Sequence, residues 1–312
     1  MVRVPAIRRR LAAPAALQIQ VSANLGRPLF HEILWAGFCM LMALRLLAAG
    51  QAGLALRVYL AALLPYAVLI LRGCALAPRR SSAPWQRIRL LYPFLLMNLM
   101  YQATRLAVPA LGLEIWDARL ALADRWLLGF DIHMAIDQQL GWVYTPLLSE
   151  IFSLSYMLLF ILLAVGVVRA ACAPLEQQAA FSIGLWSTYT IGLLGYTLIP
   201  AHGPYIAFAT TYLHPVTGWL FTDFNRWLVA IGAPGFDTFP SLHVAVSAVL
   251  LFWDRRTAPR WFRLLLLPVV LLWLSTIYLR YHYVVDLLAG AALAAVCLRL
   301  AFHALCDDKV TR

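Results

Sequence analysis

The sequence predicts an all-α, polytopic transmembrane helical bundle, and three observations carry that expectation. Of its 312 residues 63% are hydrophobic and only 12% are charged, whereas soluble domains sit nearer half and a quarter. Apolar runs recur at the ~20-residue length that crosses a bilayer. The arginines gather in short links between alternate runs, the signature of a cytoplasmic face.

About eight runs are expected as spans, near 30–49, 54–76, 88–111, 145–168, 179–199, 240–253, 262–281 and 284–304. The sixth is short and spans only if it begins within "TFPSLH" (238–243). Residues 1–29 read as a basic cytoplasmic or interfacial arm, because the apolar stretch there is short and broken by Pro14 and Gln18. That argues against a cleaved signal peptide. Residues 30–111 then hold three N-terminal spans, 145–304 a catalytic transmembrane core and 305–312 a cytoplasmic tail.

The links "APRRSSAPWQRIR" (77–89), "VRAACAPLEQQ" (168–178) and "DRRTAPRWFR" (254–263) share a side with the basic arm. Both termini are therefore expected in the cytoplasm, with segments 112–144 and 200–239 outside. In the outer segment, Trp116, Leu120, Leu122, Trp126 and Leu127 mix with Asp117, Arg119, Asp124 and Arg125. This reads as an amphipathic helix lying among the headgroups, as a collar or as a guide for a lipid substrate. No external cysteine suggests a disulfide framework. The net charge of +11 follows from topology, so the expected partner is the bilayer and not nucleic acid.

Two stretches break the apolar pattern: "DTFPSLHVAVS" (237–247) and "STIYLRYHYVVDLLAG" (275–290). The topology puts His243, His282 and Asp286 at one depth on the outer face. Ionisable groups there are costly and point to function. An imidazole that attacks phosphorus must be neutral, and a carboxylate on its other nitrogen fixes the tautomer. His282 and Asp286, four apart, share a face if the chain is helical there. A protonated His243 opposite them can give its proton to the leaving oxygen. Ser241, the amides around Leu242, and Arg280 are candidates to hold the non-bridging oxygens.

These stretches resemble two signature motifs of the phosphatidic acid phosphatase type 2 superfamily. Its Pro-Ser-Gly-His reads here Pro240, Ser241, Leu242, His243. Its Ser-Arg, five residues, His, three residues, Asp reads Ser275, Thr276, "IYLRY", His282, "YVV", Asp286. The resemblance, over roughly residues 145–304, implies a nucleophilic His282 that forms a phosphohistidine, an orienting Asp286 and an acid His243. It implies no metal and no cofactor.

Leu242 and Thr276 depart from the motifs, and "YTLIPAHGPYIAF" (196–208) lacks the basic residues of the superfamily's remaining motif. Pro-Ser-Leu-His, the His-Tyr pair and Pro-x-x-Gly-Pro resemble instead the inositol-phosphotransferase branch, which holds the fungal inositol phosphorylceramide synthases. His202, Tyr205 and Arg280 are then candidates to replace the missing phosphate contacts. The implied donor is a membrane lipid phosphate or phosphodiester, and the acceptor is water or a polyol such as inositol.

A simple polyprenyl or phosphatidic phosphatase differs only in the acceptor. A transporter or proton relay through the same residues is the rival of another class. The expected location is the inner membrane of a bacterium, with the site facing the periplasm.

Overall fold

The computed structural model describes residues 25–76 and 83–306, with side chains as far as His303. Most of the expected basic arm (1–24), the link 77–82 and the expected tail fall outside the described residues. Each expected apolar run coincides with a helix: α1 (Phe30–Ala48), α2 (Leu54–Leu76), α3 (Ala83–Ala110), and further on α6 (Pro146–Ala171) and α7 (Leu175–Leu198). The last three are α9 (Leu242–Thr257), α10 (Pro259–Tyr278) and α11 (Val284–Cys306). Between them lie α4 (Asp117–Leu128), α5 (Ile132–Gln139) and α8 (Leu220–Gly232).

Five helices are long and apolar enough to cross a membrane: α1, α2, α6, α10 and α11. The others are more polar or shorter for a physical reason. α7 is walled in by its neighbours, with Leu185, Ser187 and Thr188 all fully buried, so it needs no lipid-facing residues. Its Ser182 hydroxyl and Trp186 indole both donate to the Leu90 carbonyl of α3, at 3.1 and 2.8 Å. Small residues let neighbours approach closely: a Cβ at Gly192 would strike Leu242, and one at Gly195 would strike Pro240. α9 has 16 residues, about 24 Å at 1.5 Å per residue, against a hydrocarbon core of about 30 Å. It starts at Leu242 behind a Ser241 cap, not earlier in "TFPSLH".

The outer segment differs from the single amphipathic helix expected. It is two helices, α4 and α5, closed by a turn at Gly141–Val143, and its carboxylates face inward. Asp117 accepts from the amides of His202 and Gly203, at 2.9 and 2.8 Å, and from the Tyr283 hydroxyl at 2.9 Å. Asp124 accepts from the amides of Val284 and Val285, both at 2.8 Å. Asp137 takes the amides of Leu213 and His214 and the Arg280 guanidinium. Buried polar groups must be paired, and here the pairing ties three loops to one collar.

A third helix, in the other long segment expected outside, has no counterpart in the sequence expectations. α8 exposes Leu220, Phe224, Trp227 and Ile231 on one side and buries Thr222 and Asn225 on the other. Its N-terminus is capped from a distance, because Glu150 of α6 accepts from the amides of Trp219, Phe221 and Thr222 at 2.6, 2.8 and 2.9 Å. A carboxylate on the positive end of a helix is favourable. Two polar residues of α6 thus hold this helix, since Ser153 also meets Thr222, at 3.3 Å.

Candidate active site

The site is built where α9, α11 and the turn after α10 converge. Ser241 caps α9, its hydroxyl accepting from the Val244 amide at 3.4 Å, and its own amide donates to the Asp286 carbonyl at 3.1 Å. These bonds fix the start of α9 against the start of α11. Gly290 makes the approach possible, since a Cβ there would run into the Ser241 carbonyl. Gly290→Ala is therefore expected to displace His243 and cut turnover at least about tenfold, because misplacement of about 1 Å can cost 10²-fold. Gly37→Ala, where a Cβ meets nothing, is expected to leave turnover unchanged in the same assay.

α10 ends in a tight turn at Arg280, whose φ of 63° is the left-handed conformation that costs a side-chain-bearing residue about 1–2 kcal/mol. The turn is held by the side chain itself. Its Nη2 donates to Asp137 Oδ1 and to the His214 carbonyl, both at 2.8 Å. The guanidinium lies over the rings of Tyr144 and Tyr212, at 4.4 and 3.8 Å. Burial opposes ionisation of Asp137, but the Leu213 and His214 amides and Arg280 outweigh it and hold the carboxyl below its usual range. The turn delivers His282 two residues later.

His282 is buried. Its Nδ1 lies 2.9 Å from the Thr238 carbonyl and 3.5 Å from Asp286 Oδ2. A carbonyl can only accept, so Nδ1 carries the proton and Nε2 keeps its lone pair. The tautomer is thus set first by a backbone carbonyl and only second by the carboxylate. Asp286 Oδ2 also accepts from the Tyr283 amide at 2.8 Å, while Oδ1 is buried without a partner. Burial pushes the His282 imidazole down to about 4, although Asp237 and the Thr238 carbonyl pull the other way. At neutral pH the ring is an uncharged base.

His243 faces it, with ring centroids 5.9 Å apart. Tyr156 stacks on His243 at 4.0 Å, which fixes the ring plane, and the His243 Nε2 has no partner among the described residues. Two imidazoles so placed can both contact one phosphoryl group. Both line a cavity of about 690 Å³, together with His202, Tyr205 and Asp237. The rest of its wall is largely apolar and includes Phe94 and Leu95 of α3 and Phe160 of α6. Leu95 and Phe160 are also 69% and 52% exposed on the bundle surface, so the cavity opens sideways between α3 and α6.

The other sequence candidates divide. His202 lines this cavity, its Nδ1 2.6 Å from the Gly235 carbonyl. Tyr205 lines it too, held by its amide to the Arg280 carbonyl at 2.7 Å. Ser241 is fully buried, with its hydroxyl given to the cap. Arg280 faces a neighbouring cavity, and its guanidinium is turned to Asp137. The sequence reading passed over Asp237, which takes the Tyr101 hydroxyl and is raised above the carboxylate range by burial, against the pull of Tyr101 and His282. It also passed over Thr238, whose hydroxyl donates to the Ala201 carbonyl at 2.8 Å. Among the described residues no group of three or more His, Cys, Asp or Glu is arranged to hold a metal ion.

Apolar helices of membrane-crossing length, a paired-imidazole cavity and a lateral apolar opening define an integral membrane protein built around a buried histidine site. The chain belongs to the PAP2 superfamily, which matches residues 118–300, more than half of its length. The match takes in the collar as well as the core. A PA-phosphatase related-family protein of Dictyostelium discoideum is 31% identical over 128 residues, covering 39% of this chain and 23% of that protein. The matched stretch thus spans about a quarter of the length of that curated relative. No solved structure matches the chain.

Proposed function

We propose that the protein is a membrane lipid phosphotransferase or phosphatase working through a phosphohistidine on His282. The observation that carries this reading is the pair of buried imidazoles in one cavity. One has its tautomer fixed by Thr238 at 2.9 Å and Asp286 at 3.5 Å, and the other has a free Nε2. In the first step His282 Nε2 attacks phosphorus, and the bond to the leaving oxygen breaks as that oxygen takes the His243 proton. In the second, His243 accepts a proton from water or an alcohol whose oxygen attacks phosphorus, and the N–P bond breaks. Asp286 offsets the positive charge on the ring between the two steps.

The lateral opening between α3 and α6 supports a lipid donor with its head at the histidines and its chains in the bilayer. His202 and Tyr205 are placed to contact its phosphate, while Ser241 and Arg280 act by shaping the loops. The Arg-rich links at the opposite end support eight crossing helices, both termini in the cytoplasm and a periplasmic or external site. The same end-on gathering of ionisable groups favours the enzyme over a relay at mid-membrane. The motif variants Pro-Ser-Leu-His and Pro-x-x-Gly-Pro favour transfer to a polyol, as in the inositol-phosphotransferase branch, over transfer to water.

Incubating the purified protein with labelled lipid phosphates and phosphodiesters, with and without inositol, tests this. Turnover that yields an inositol-linked product supports the transferase, and phosphate release alone supports the phosphatase. No turnover with any lipid phosphorus ester would contradict both.

The pH profile should carry the mark of burial. Protonation removes the lone pair that attacks, so activity falls as pH drops through the His282 value of about 4, well below the ~6.5 of a free imidazole. A phosphodiester donor is the right probe, since its single charge does not titrate in this range. An acid limb near 6.5 would mean that His282 attacks from a solvated position.

A further inference from the structure

Beside the histidine cavity lies a second one of about 600 Å³, and we propose that it binds a phosphorylated polyol head group. It lies at the outer end of the bundle, bordered by α8, the 205–216 loop and the Arg280 turn, and its wall includes Arg105, Arg226 and Arg280 with no carboxylate. Arg280 is neutralised by Asp137 at 2.8 Å. Among the described residues Arg105, which is exposed, has no partner, and Arg226 has only the exposed Asp223, at 3.6 Å, and the Val216 carbonyl. Arg105 thus faces the cavity without a counter-charge and Arg226 with only an exposed, loosely held one, which leaves positive charge for an anionic ligand.

The same wall holds two unsatisfied polar atoms. Asn225 is 1% exposed; its Nδ2 donates to the Tyr281 hydroxyl at 3.2 Å, and its Oδ1 is buried with no partner. The Tyr212 hydroxyl is likewise buried and unpaired. An orphaned acceptor inside a cavity calls for a donor from a ligand, and an alcohol supplies one where the dianion of a phosphate monoester does not. Arg105, the loosely paired Arg226 and an orphaned amide oxygen together specify hydroxyls and negative charge on one molecule. The volume lies within the ~300–1,000 Å³ usual for small-molecule sites.

The two cavities share Tyr205, Val229, Ala233 and Tyr281, and Tyr205 meets Tyr281 edge-on at 4.9 Å. A head group in the second cavity therefore sits one aromatic wall from the imidazoles, as free acceptor or as part of the donor lipid. That placement rests on the phosphotransfer reading, whereas the binding site stands on the cavity alone.

The test is a calorimetric titration of the full chain in detergent, in the His282→Ala background so that binding is read without turnover. The probes are inositol 1-phosphate, glycerol 3-phosphate, inositol, inorganic phosphate, and short-chain phosphatidylinositol set against phosphatidylcholine. A polyol phosphate or the phosphatidylinositol should bind at least tenfold more tightly than inorganic phosphate or inositol. Arg105→Gln and Arg226→Gln, both at exposed positions that the fold tolerates, should each weaken it about tenfold, as should Asn225→Ala. Binding by the free phosphate assigns a soluble ligand, and binding by the lipid alone assigns a lipid head group; both support the site. No binding by either, inorganic phosphate binding as tightly, or affinity unmoved by both arginine substitutions would overturn it. Binding that survives while the wild type turns over nothing would instead remove the phosphotransfer reading and leave the site.

Discussion

His282→Ala is expected to reduce turnover of any lipid phosphorus ester by at least about 10⁴-fold, which corresponds to about 5.5 kcal/mol of barrier. The loss is large because in the proposed mechanism the ring supplies the bond to phosphorus, and none of the groups beside it replaces a nucleophile. Asp237 is engaged by the Tyr101 hydroxyl, and Asp286 lies behind the ring, on its Nδ1 side. Asp286→Asn is expected to cost less, about 10²- to 10³-fold, because the Thr238 carbonyl at 2.9 Å still fixes the tautomer and only charge compensation is lost. Steady-state kinetics of the purified variants in detergent check both values. Equal losses in the two variants would mean that the carboxylate, and not the carbonyl, sets the ring.

His243→Ala has the second largest expected effect, about 10²- to 10⁴-fold, the usual range for removing a general acid–base group. Its effect should depend on the leaving group. A lipid alkoxide leaves poorly without a proton, whereas a nitrophenolate ester leaves well, so the first step should recover with the activated donor. The second step still lacks its base, so the phosphorylated enzyme should accumulate. A uniform loss across leaving groups, measured by stopped-flow release of nitrophenolate, would place His243 outside the proton transfer.

Much of this was legible in the sequence because hydrophobic length and arginine placement are local signals. Each expected apolar run is a helix. His243, His282 and Asp286 meet because their motifs fall at the ends of helices that pack together. What the sequence did not disclose depends on partners far away in the chain. Asp117 and Asp124 look like the polar face of a surface helix until the loops whose amides they accept are in view. Their seven-residue spacing, which puts both on one face, was the available hint. The partner of Glu150 is not visible until α8 is known, and α8 was hidden because an amphipathic helix of 13 residues falls below spanning length.

Arg280 was read as a phosphate clamp from its charge and place beside His282. The left-handed turn and the pairing with Asp137 at 2.8 Å explain why its guanidinium points elsewhere. The Thr238 carbonyl could not have been found by residue type at all, since every residue has one. Backbone groups become visible only when the fold delivers them.

The central claim is the covalent phosphohistidine, and one trapping experiment tests it most directly. His243→Ala would be mixed with an activated, labelled lipid phosphodiester, quenched in alkali and digested for mass spectrometry. An acid-labile phosphoryl adduct on His282, absent from the double variant His243→Ala/His282→Ala, is the predicted result. Nitrophenolate release with no adduct on His282, or an adduct on another residue, would contradict it.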